Sequence, residues 1–471
     1  MATLYEDPPM PYKIYGLDGD IVPVTRDVDR DGQIEAGDGD FAIILFGMRR
    51  GGYNYRAINV TDKDAPVLMW ERALENGGQS WSAPVVARMD ISGSGQHTTK
   101  AVVVVGGGYD SAHDTPAFFE ARDGAGAGVH VLDLMSGNTL WYAGHTDTDA
   151  DLKLDTMTRS IPTRIRVIDM NGDGFADRMY TSDLGGQLWR FDVSNGEARG
   201  DLVAGGVIAQ LGAEGMVNPG AGDTRRFYNS PDVSIFNDVR QNRRFIAISI
   251  GSGYRAHPLN TDATDRFYSI RDPYVFRPLT QDDYGNLDPF TEDDLVEVSG
   301  DTGAVITADD AGWMLTLPDN QMVLADSVTF NDEIFFVSFS PDRDTADECL
   351  AGQGANFLWR VDIVNGDPIV EDLDSIVSGG EDAARRTDLA QGGIAPSPQF
   401  LFPSADDANC TGDACSPPPL GCIGVECFDP GFTNNPVRTL WTQDGIESVS
   451  YTHLTLPTNT VTWGGRGGGG G

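Results

Sequence analysis

Apolar residues in this chain come in short, nearly continuous runs and not at helical spacing. Runs rich in β-branched and aromatic residues recur between Gly, Asn and Asp: 41–46 (FAIILF), 101–105 (AVVVV), 245–250 (FIAISI) and 333–339 (EIFFVSF). Runs of this length flanked by turn residues predict strands. No segment sustains a 3.6-residue apolar period long enough for a major helix, so the pattern predicts an all-β chain.

Aligning the runs exposes a repeat. Each leads through a Gly-rich or insertion-bearing turn to a second strand that ends near an acidic or amide residue: 55–59, 128–133 (GVHVLD), 187–192 (QLWRFD), 265–272 (DRFYSIRD) and 356–362 (NFLWRVD). Most units are preceded by a further segment with a small residue and proline, expected to be a strand: Ser82-Ala83-Pro84, Ser160-Ile161-Pro162, Ser230-Pro231 and Ala395-Pro396. Units of three or four strands, each with a Trp or Tyr, predict a β-propeller, whose blades hide their faces against their neighbours. The anchors Asn59, Asp133, Asp192, Asp272 and Asp362 average about 76 residues apart, against roughly 40–50 for a bare blade, so long insertions are expected. Six to eight blades fit the length; seven is the expectation.

Composition narrows the function classes. The 33 Lys plus Arg against 71 Asp plus Glu leave a net charge of −38, which argues against a nucleic-acid partner. No apolar run approaches the ~18 residues of a membrane span. The first ten residues are polar and proline-bearing, so no signal peptide is expected there. Residues 1–447 read as the propeller. From about Ser448 the acid disappears and the chain ends in glycines, so 448–471 is expected to be a non-native tail.

A solvated acidic surface accounts for part of the excess acid but not for acid at two-residue spacing. In 169–177 (DMNGDGFAD) oxygen side chains stand at positions 1, 3, 5 and 9: Asp169, Asn171, Asp173 and Asp177. Gly174 at position 6 permits a sharp turn, and the carbonyl of Phe175 follows at position 7. Ca²⁺ takes six to eight hard oxygen ligands, and a chain wrapped around it presents alternate side chains inward. The flanks 165–168 and 178–182 read as strands, placing this loop in a hairpin. The bland alternative is an Asn-Gly/Asp-Gly turn with solvated acids.

A second stretch, 27–38 (DVDRDGQIEAGD), matches the twelve-residue EF-hand loop at positions 1, 3, 5, 6, 8 and 9, with Asp in place of Glu at 12. Its expected ligands are Asp27, Asp29, Asp31, Gln33, Glu35 and Asp38. Gly and Pro within 16–24 preclude the incoming helix of an EF-hand, so a calmodulin-type switch is not expected. A third cluster, Asp147, Asp149, Asp151 and Asp155, lacks the glycine and reads as solvated acid.

Long motifs in order carry a family resemblance: SWSAPVVARMD (80–90), VVVVGGGYD (102–110), VHVLDLMSGNTLW (129–141), IDMNGDGFADRMYTSDLGGQLWRFDV (168–193), GSGYRAHPL (251–259) and GGIAPSPQ (392–399). Over roughly 12–444 the chain resembles the C-terminal domain of the PilC/PilY family of type IV pilus tip adhesins and biogenesis factors. The resemblance implies a modified seven-bladed, quinoprotein-dehydrogenase-like propeller and a calcium loop at Asp169, Asn171, Asp173, the Phe175 carbonyl and Asp177. It also implies a role in pilus extension, twitching motility and surface adhesion, with minor pilins or the pilus tip complex, and a host or surface receptor, as partners. An exported, pilus-tip or outer-membrane-associated location follows. Members carry a long N-terminal region, so this chain is expected to be a fragment of a longer product. The 27–38 loop is not a motif of the resemblance and stands on its own spacing.

Cys410, Cys415, Cys422 and Cys427 form two C-x₄-C pairs with three possible pairings; two disulfides are expected, with zinc as the rival and Cys349 left over. Arg199-Gly200-Asp201 spells the integrin-binding tripeptide, which this composition produces readily by chance. A quinoprotein-type dehydrogenase is the enzymatic alternative. It is disfavoured because no two cysteines are adjacent, and His113, His130, His145 and His257 belong to no nucleophile elbow. The non-enzymatic alternative is an integrin-α-like propeller with calcium loops in several blades, which a single clear blade-embedded loop disfavours.

Overall fold

The computed structural model of the chain describes residues 15–92, 99–115, 122–213, 216, 220–238, 243–300, 303–318, 320–341, 354–369, 384–402 and 419–431. These residues form six sheets in chain order. The first is the meander β1 (Ile21–Arg26), β2 (Phe41–Phe46), β3 (Asn54–Asn59) and β4 (Val67–Ala73). The second runs β5 (Val85–Asp90), β6 (Thr99–Gly106), β7 (Gly128–Asp133), β8 (Thr139–Gly144) and β9 (Leu152–Lys153). The third is β10 (Arg166–Ile168), β11 (Arg178–Ser182), β12 (Gln187–Val193) and β13 (Val203–Gln210).

The fourth sheet contains β14 (Asp232–Asp238), β15 (Arg243–Gly251), β16 (Arg266–Asp272), β17 (Val296–Glu297) and β18 (Gly312–Thr316). Its β16–β17 connection carries a five-residue helix α1 (Gln281–Gly285), which the sequence pattern does not signal. The fifth is β19 (Met322–Val323), β20 (Val328–Phe330), β21 (Glu333–Ser340), β22 (Ala355–Asp362) and β23 (Arg386–Leu389). The sixth has three strands, β24 (Gln399–Leu401), β25 (Leu420–Ile423) and β26 (Glu426–Phe428). Pairing is antiparallel except for the short outer strands β9 and β17. The expected strand runs and the anchors Asn59, Asp133, Asp192, Asp272 and Asp362 all fall in this framework, at or next to the ends of β3, β7, β12, β16 and β22.

Each sheet packs on the next in series. One apolar cluster joins Val24 and Leu45 of the first sheet to Val103 and Leu132 of the second. Others join the second to the third through Trp141 and Trp189, and the third to the fourth through Leu188 and Ile248. The fourth meets the fifth at Phe267 and Phe336, stacked with ring centroids 3.9 Å apart, and the fifth meets the sixth at Phe335 and Phe400. Trp70 and Trp313 add a directional tie: each donates its indole N–H to the turn after the anchor aspartate of the following sheet, at Leu134 O (2.8 Å) and Ile363 O (3.1 Å). Gly137 in the first of these turns has φ +67°, and a Cβ there would stand 2.6 Å from the Trp70 ring, so the close approach requires glycine.

The small-residue/proline segments are not strands. They are lead-in loops before the first strand of the second, third, fourth and sixth sheets. They converge with counterparts from the remaining sheets on one cavity, which Asp20, Trp81, Pro162, Ser230, Ala325 and Pro396 line in turn. A cavity lined by every sheet in succession is the axis of a propeller. The described residues supply six of its sheets; 342–353, 370–383, 403–418 and 432–471, including the expected tail, lie outside them. No helix among the described residues is long and apolar enough to cross a membrane.

Of the cysteines, Cys422 and Cys427 face each other across β25 and β26 and form a disulfide. Cys349, Cys410 and Cys415 lie outside the described residues.

Candidate metal centres

The two acidic loops occupy the same place in two different sheets: each connects the first strand to the second. Residues 169–177 join β10 to β11, and residues 27–40 join β1 to β2. The first-sheet loop is therefore embedded in a blade as firmly as the other, and the expectation of a single such loop is corrected.

Their backbones are folded alike through most of the loop. Asp169 takes the N–H groups of Gly172 (2.7 Å) and Gly174 (2.7 Å) on its two carboxylate oxygens. Asp27 takes those of Arg30 (2.7 Å) and Gly32 (2.8 Å). Asn171 Oδ1 accepts from Asp173 N and Asp29 Oδ1 from Asp31 N; Asp173 then accepts from Phe175 N and Asp31 from Gln33 N. Both loops turn left-handed at the fourth and sixth positions, Gly172 and Gly174 in one (φ +79° and +86°), Arg30 and Gly32 in the other (+65° and +84°). Each is a ladder in which a side chain fixes the amide two or three positions on, as in Asx turns, and the first aspartate also holds the amide five positions on.

The correspondence identifies the closing residue. Asp177 Oδ2 accepts from Met170 N at 2.8 Å. In the first sheet the equivalent amide, Val28 N, donates to Asp40 Oδ1 at 2.8 Å, and Asp40 Oδ2 also accepts from Glu35 N. Asp40 is buried, and its carboxylate lies with those of Asp27 and Asp29 so that one oxygen from each falls within 4.8 Å of the others. The structure thus closes this loop with Asp40, which EF-hand spacing misses, while Glu35 and Asp38 are exposed on a five-residue excursion. That excursion, 35–39, carries a 3₁₀ turn at Ala36–Asp38, so counting twelve positions from Asp27 lands on the wrong aspartate. The spacing signal that finds Asp40 is the last acid before β2, matching Asp177 immediately before β11.

The Gln33 side-chain amide donates to Asp31 Oδ2 (3.1 Å), which leaves its backbone carbonyl as its counterpart to that of Phe175. Asn171 stands where the first loop has Asp29, so the 169–177 loop brings one carboxylate fewer to the same position.

Electrostatics follow from this crowding. The Gly32 amide, foremost, draws the Asp27 carboxyl below its ordinary range. At Asp29 the Asp31 amide pulls downward, but desolvation and the charges of Asp31 and Asp27 outweigh it, and the pKa is raised. Partial burial, then Asp169 and Asp173, raise that of Asp177. In both loops negative charge repels itself, but among the described residues only Asp27, Asp29 and Asp40 bring three carboxylates within 4.8 Å of one another; Asp169, Asp173 and Asp177 do not. The donor set is all oxygen, and each carboxylate retains lone pairs beyond those its amides use. It fits a hard divalent cation and not a thiolate- or imidazole-seeking one.

The 169–177 loop is also wedged against the second sheet. Ala176 N donates to Arg88 O (2.9 Å), and the Arg88 guanidinium lies 4.8 Å from the centre of the Phe175 ring. Asn195, from the turn after the Asp192 anchor, links Asp90 N to Ala176 O at 2.9 Å each. The third acidic cluster has other partners: Asp147 holds Arg122 in a two-pronged pair, and Asp151 holds Arg199 at 2.6 Å. Arg199 is the arginine of the Arg-Gly-Asp triplet, which sits in a turn with this side chain already engaged. His113 is buried against Asp123 (2.8 Å).

If the closing residue is Asp40, Asp40→Ala lowers calcium affinity at the first loop by tenfold or more, whereas Asp38→Ala and Glu35→Ala leave it within twofold. Titration calorimetry on the three variants decides this; equal losses in Asp38→Ala would restore the twelve-residue reading.

Fold and loops together define an all-β propeller with paired Asx-ladder loops at its blade hairpins. In sequence the chain is similar to the type IV pilus biogenesis factor PilY1 of Pseudomonas aeruginosa: 32% identical over 165 residues, 34% of this chain, in strain PAO1, and 31% over 172 residues in strain UCBPP-PA14. In fold it is similar to the crystal structure of the P. aeruginosa PilY1 C-terminal domain, with a TM-score of 0.57 and 18% identity over 86% of this chain and 82% of that one. Its propeller is of the PilY1 C-terminal type. The chain spans 12% of the length of the curated relatives it matches. No protein-family model matches it.

Proposed function

We propose that this chain is the calcium-binding propeller of a type IV pilus biogenesis protein, non-enzymatic and acting at the pilus through its surface. The observation that carries the calcium reading is the shared Asx-turn ladder of two all-oxygen loops at the same hairpin of two sheets. The pilus reading rests on the sequence similarity to PilY1 and extends to an exported, pilus-associated location, with pilus tip components as partners. Twitching motility and adhesion to a host or surface receptor are part of the same proposal.

Asp169, Asn171, Asp173, Asp177 and the Phe175 carbonyl would hold one calcium ion. Asp27, Asp29, Asp31, Asp40 and the Gln33 carbonyl would hold the other. A bound ion supplies positive charge where the carboxylates repel. What this chain's own residues do with that charge follows from the docking of Ala176 and Phe175 on β5: a fixed 169–177 turn fixes the edge between the second and third sheets. The surface presented there is the one proposed to meet a pilin.

Two experiments separate the levels of this reading. Calorimetry on the full chain is expected to count two calcium sites, with one lost in Asp173→Ala and one in Asp31→Ala. In cells that carry the parent gene, Asp173→Ala is expected to alter surface piliation and twitching zones while the protein remains folded and exported. Intact calcium binding in both variants would remove the metal sites. Unchanged piliation and motility despite lost calcium would remove the functional coupling.

A further inference from the structure

The axial cavity, of about 410 Å³, gathers charged groups from several sheets. Three guanidiniums and two carboxylates line it, a local excess of positive charge in a chain of net charge −38. The arginines come from three different sheets. Arg49 follows β2, Arg164 precedes β10, and Arg255 follows β15. Convergence of three cations is electrostatically costly, and their placement by separate elements means that the whole ring holds them there.

Their neutralisation is incomplete. Arg49 and Arg164 share a single oxygen of Asp20, at 3.5 and 3.8 Å, both longer than a direct charged hydrogen bond. The Nε–H of Arg49 is buried with no hydrogen-bond partner among the described residues. Arg255 donates to the Leu324 carbonyl at 2.6 Å. Burial, then the charge of Arg49, lowers its pKa below the ordinary arginine value. The second carboxylate, Asp326, accepts Ser230 N at 2.9 Å on one oxygen, and its charge, with those of Asp18 and Asp20, partly offsets that of Arg255.

The rest of the lining mixes the polar side chains of Asn229, Ser230, Ser397 and Gln399 with apolar surface. Trp81 lines the cavity and is stacked on Tyr109 with ring centroids 4.5 Å apart, and Pro162, Pro396 and Leu324 add apolar surface elsewhere around the ring. The volume lies within the range of small-ligand pockets, which pair an apolar lining with a few convergent polar groups. A guanidinium fork matches a planar carboxylate in geometry as well as charge.

We propose that the axial cavity binds a small organic anion, with its carboxylate head among Arg49, Arg164 and Arg255 and an apolar body against Trp81 and the prolines. This site is separate from the acidic loops and does not rest on the calcium reading. The anion supplies the missing counter-charge and the partner for the Arg49 Nε–H. It also ties together the three sheets that supply these arginines, so occupancy stabilises the ring by linkage.

The test uses the full chain and three probes at constant ionic strength: sodium benzoate, sodium acetate and inorganic phosphate. Benzoate is expected to raise the melting temperature saturably and to bind with a dissociation constant roughly millimolar or tighter. Acetate, lacking the body, binds at least fivefold more weakly. Arg255→Gln and Arg49→Gln weaken benzoate tenfold or more; Arg49→Lys keeps the charge, loses the fork and weakens it severalfold, so one informative variant remains if a glutamine variant fails to fold. Asp173→Ala leaves benzoate binding unchanged. Absence of saturable benzoate binding, or equal binding in all the arginine variants, overturns the proposal. Phosphate or acetate binding as tightly as benzoate also overturns it, reducing the cavity to an unselective anion trap.

Discussion

Replacing Arg190 with methionine is expected to cost the chain about 3–5 kcal/mol of unfolding free energy, the penalty for breaking a buried charge network on one side. Arg190 is fully buried and joins two sheets. Its Nη1 donates to both oxygens of Asp272 at the end of β16, and its Nε and Nη2 hold Asp192 on its own strand β12. Arg178 binds the same Asp192 and also reaches the carbonyls of Tyr274, Val275 and Arg277 across the interface. Tyr180 and Tyr284 donate to Asp272 and Asp192 at 2.7 Å each, and burial above all pushes the Tyr180 hydroxyl's pKa upward.

Removing Arg190 leaves Asp272 with one hydroxyl and the Tyr274 amide as its remaining donors, in a site that water does not reach. Desolvation of that carboxylate is then uncompensated. The converse double change, Arg190→Met with Asp272→Asn, removes one charge of each sign, leaves Arg178 matched to Asp192, and is expected to recover more than half of the loss. Urea unfolding followed by tryptophan fluorescence measures both, with Trp189 one residue from the lesion. A loss below about 1 kcal/mol for Arg190→Met would mean that the apolar cluster alone holds the third and fourth sheets together.

The second large effect is expected at Asp169. Asp169→Ala should lower calcium affinity at the 169–177 loop at least a hundredfold, about 2.7 kcal/mol. It removes both a proposed ligand and the acceptor that pins the amides of Asn171, Gly172 and Gly174. Asp169→Asn keeps one acceptor oxygen and should fall between. Calorimetry distinguishes the three proteins; near-wild-type binding in Asp169→Ala would exclude this loop as a calcium site.

The same site carries a pH signature. Because the Asp177 pKa is raised, the metal-free folded chain binds that proton more tightly than the unfolded chain does. Its contribution to metal-free stability is present at low pH and is lost as pH rises from the ordinary carboxylate value through the raised one. Calcium must displace that proton, so affinity should fall with decreasing pH from the upper edge of the carboxylate range downward. The Asp177→Asn variant should bind more weakly but with a flatter pH profile.

Much of this was legible along the chain because local physics carries it. Strands such as 41–46 and 333–339 are short apolar runs cut by turn residues, and no competing helical period exists to override them. The loop 169–177 was legible as well, since nine consecutive residues contain every side chain of its ladder. Asp40 was not. It closes its loop across an excursion whose length no spacing rule fixes, and only the pairing of β1 with β2 brings it back beside Asp27. The arginine-lined axis was still further from view: Arg49, Arg164 and Arg255 are unremarkable in sequence, separated by more than ninety positions each. The sequence by itself determined strands, turns and a local hydrogen-bonded Asx ladder, because those depend on neighbours within a few residues. Only the tertiary structure decided which sheets meet, which aspartate closes the first loop and which charges share the axis, because those contacts exist only once the sheets have packed around one centre.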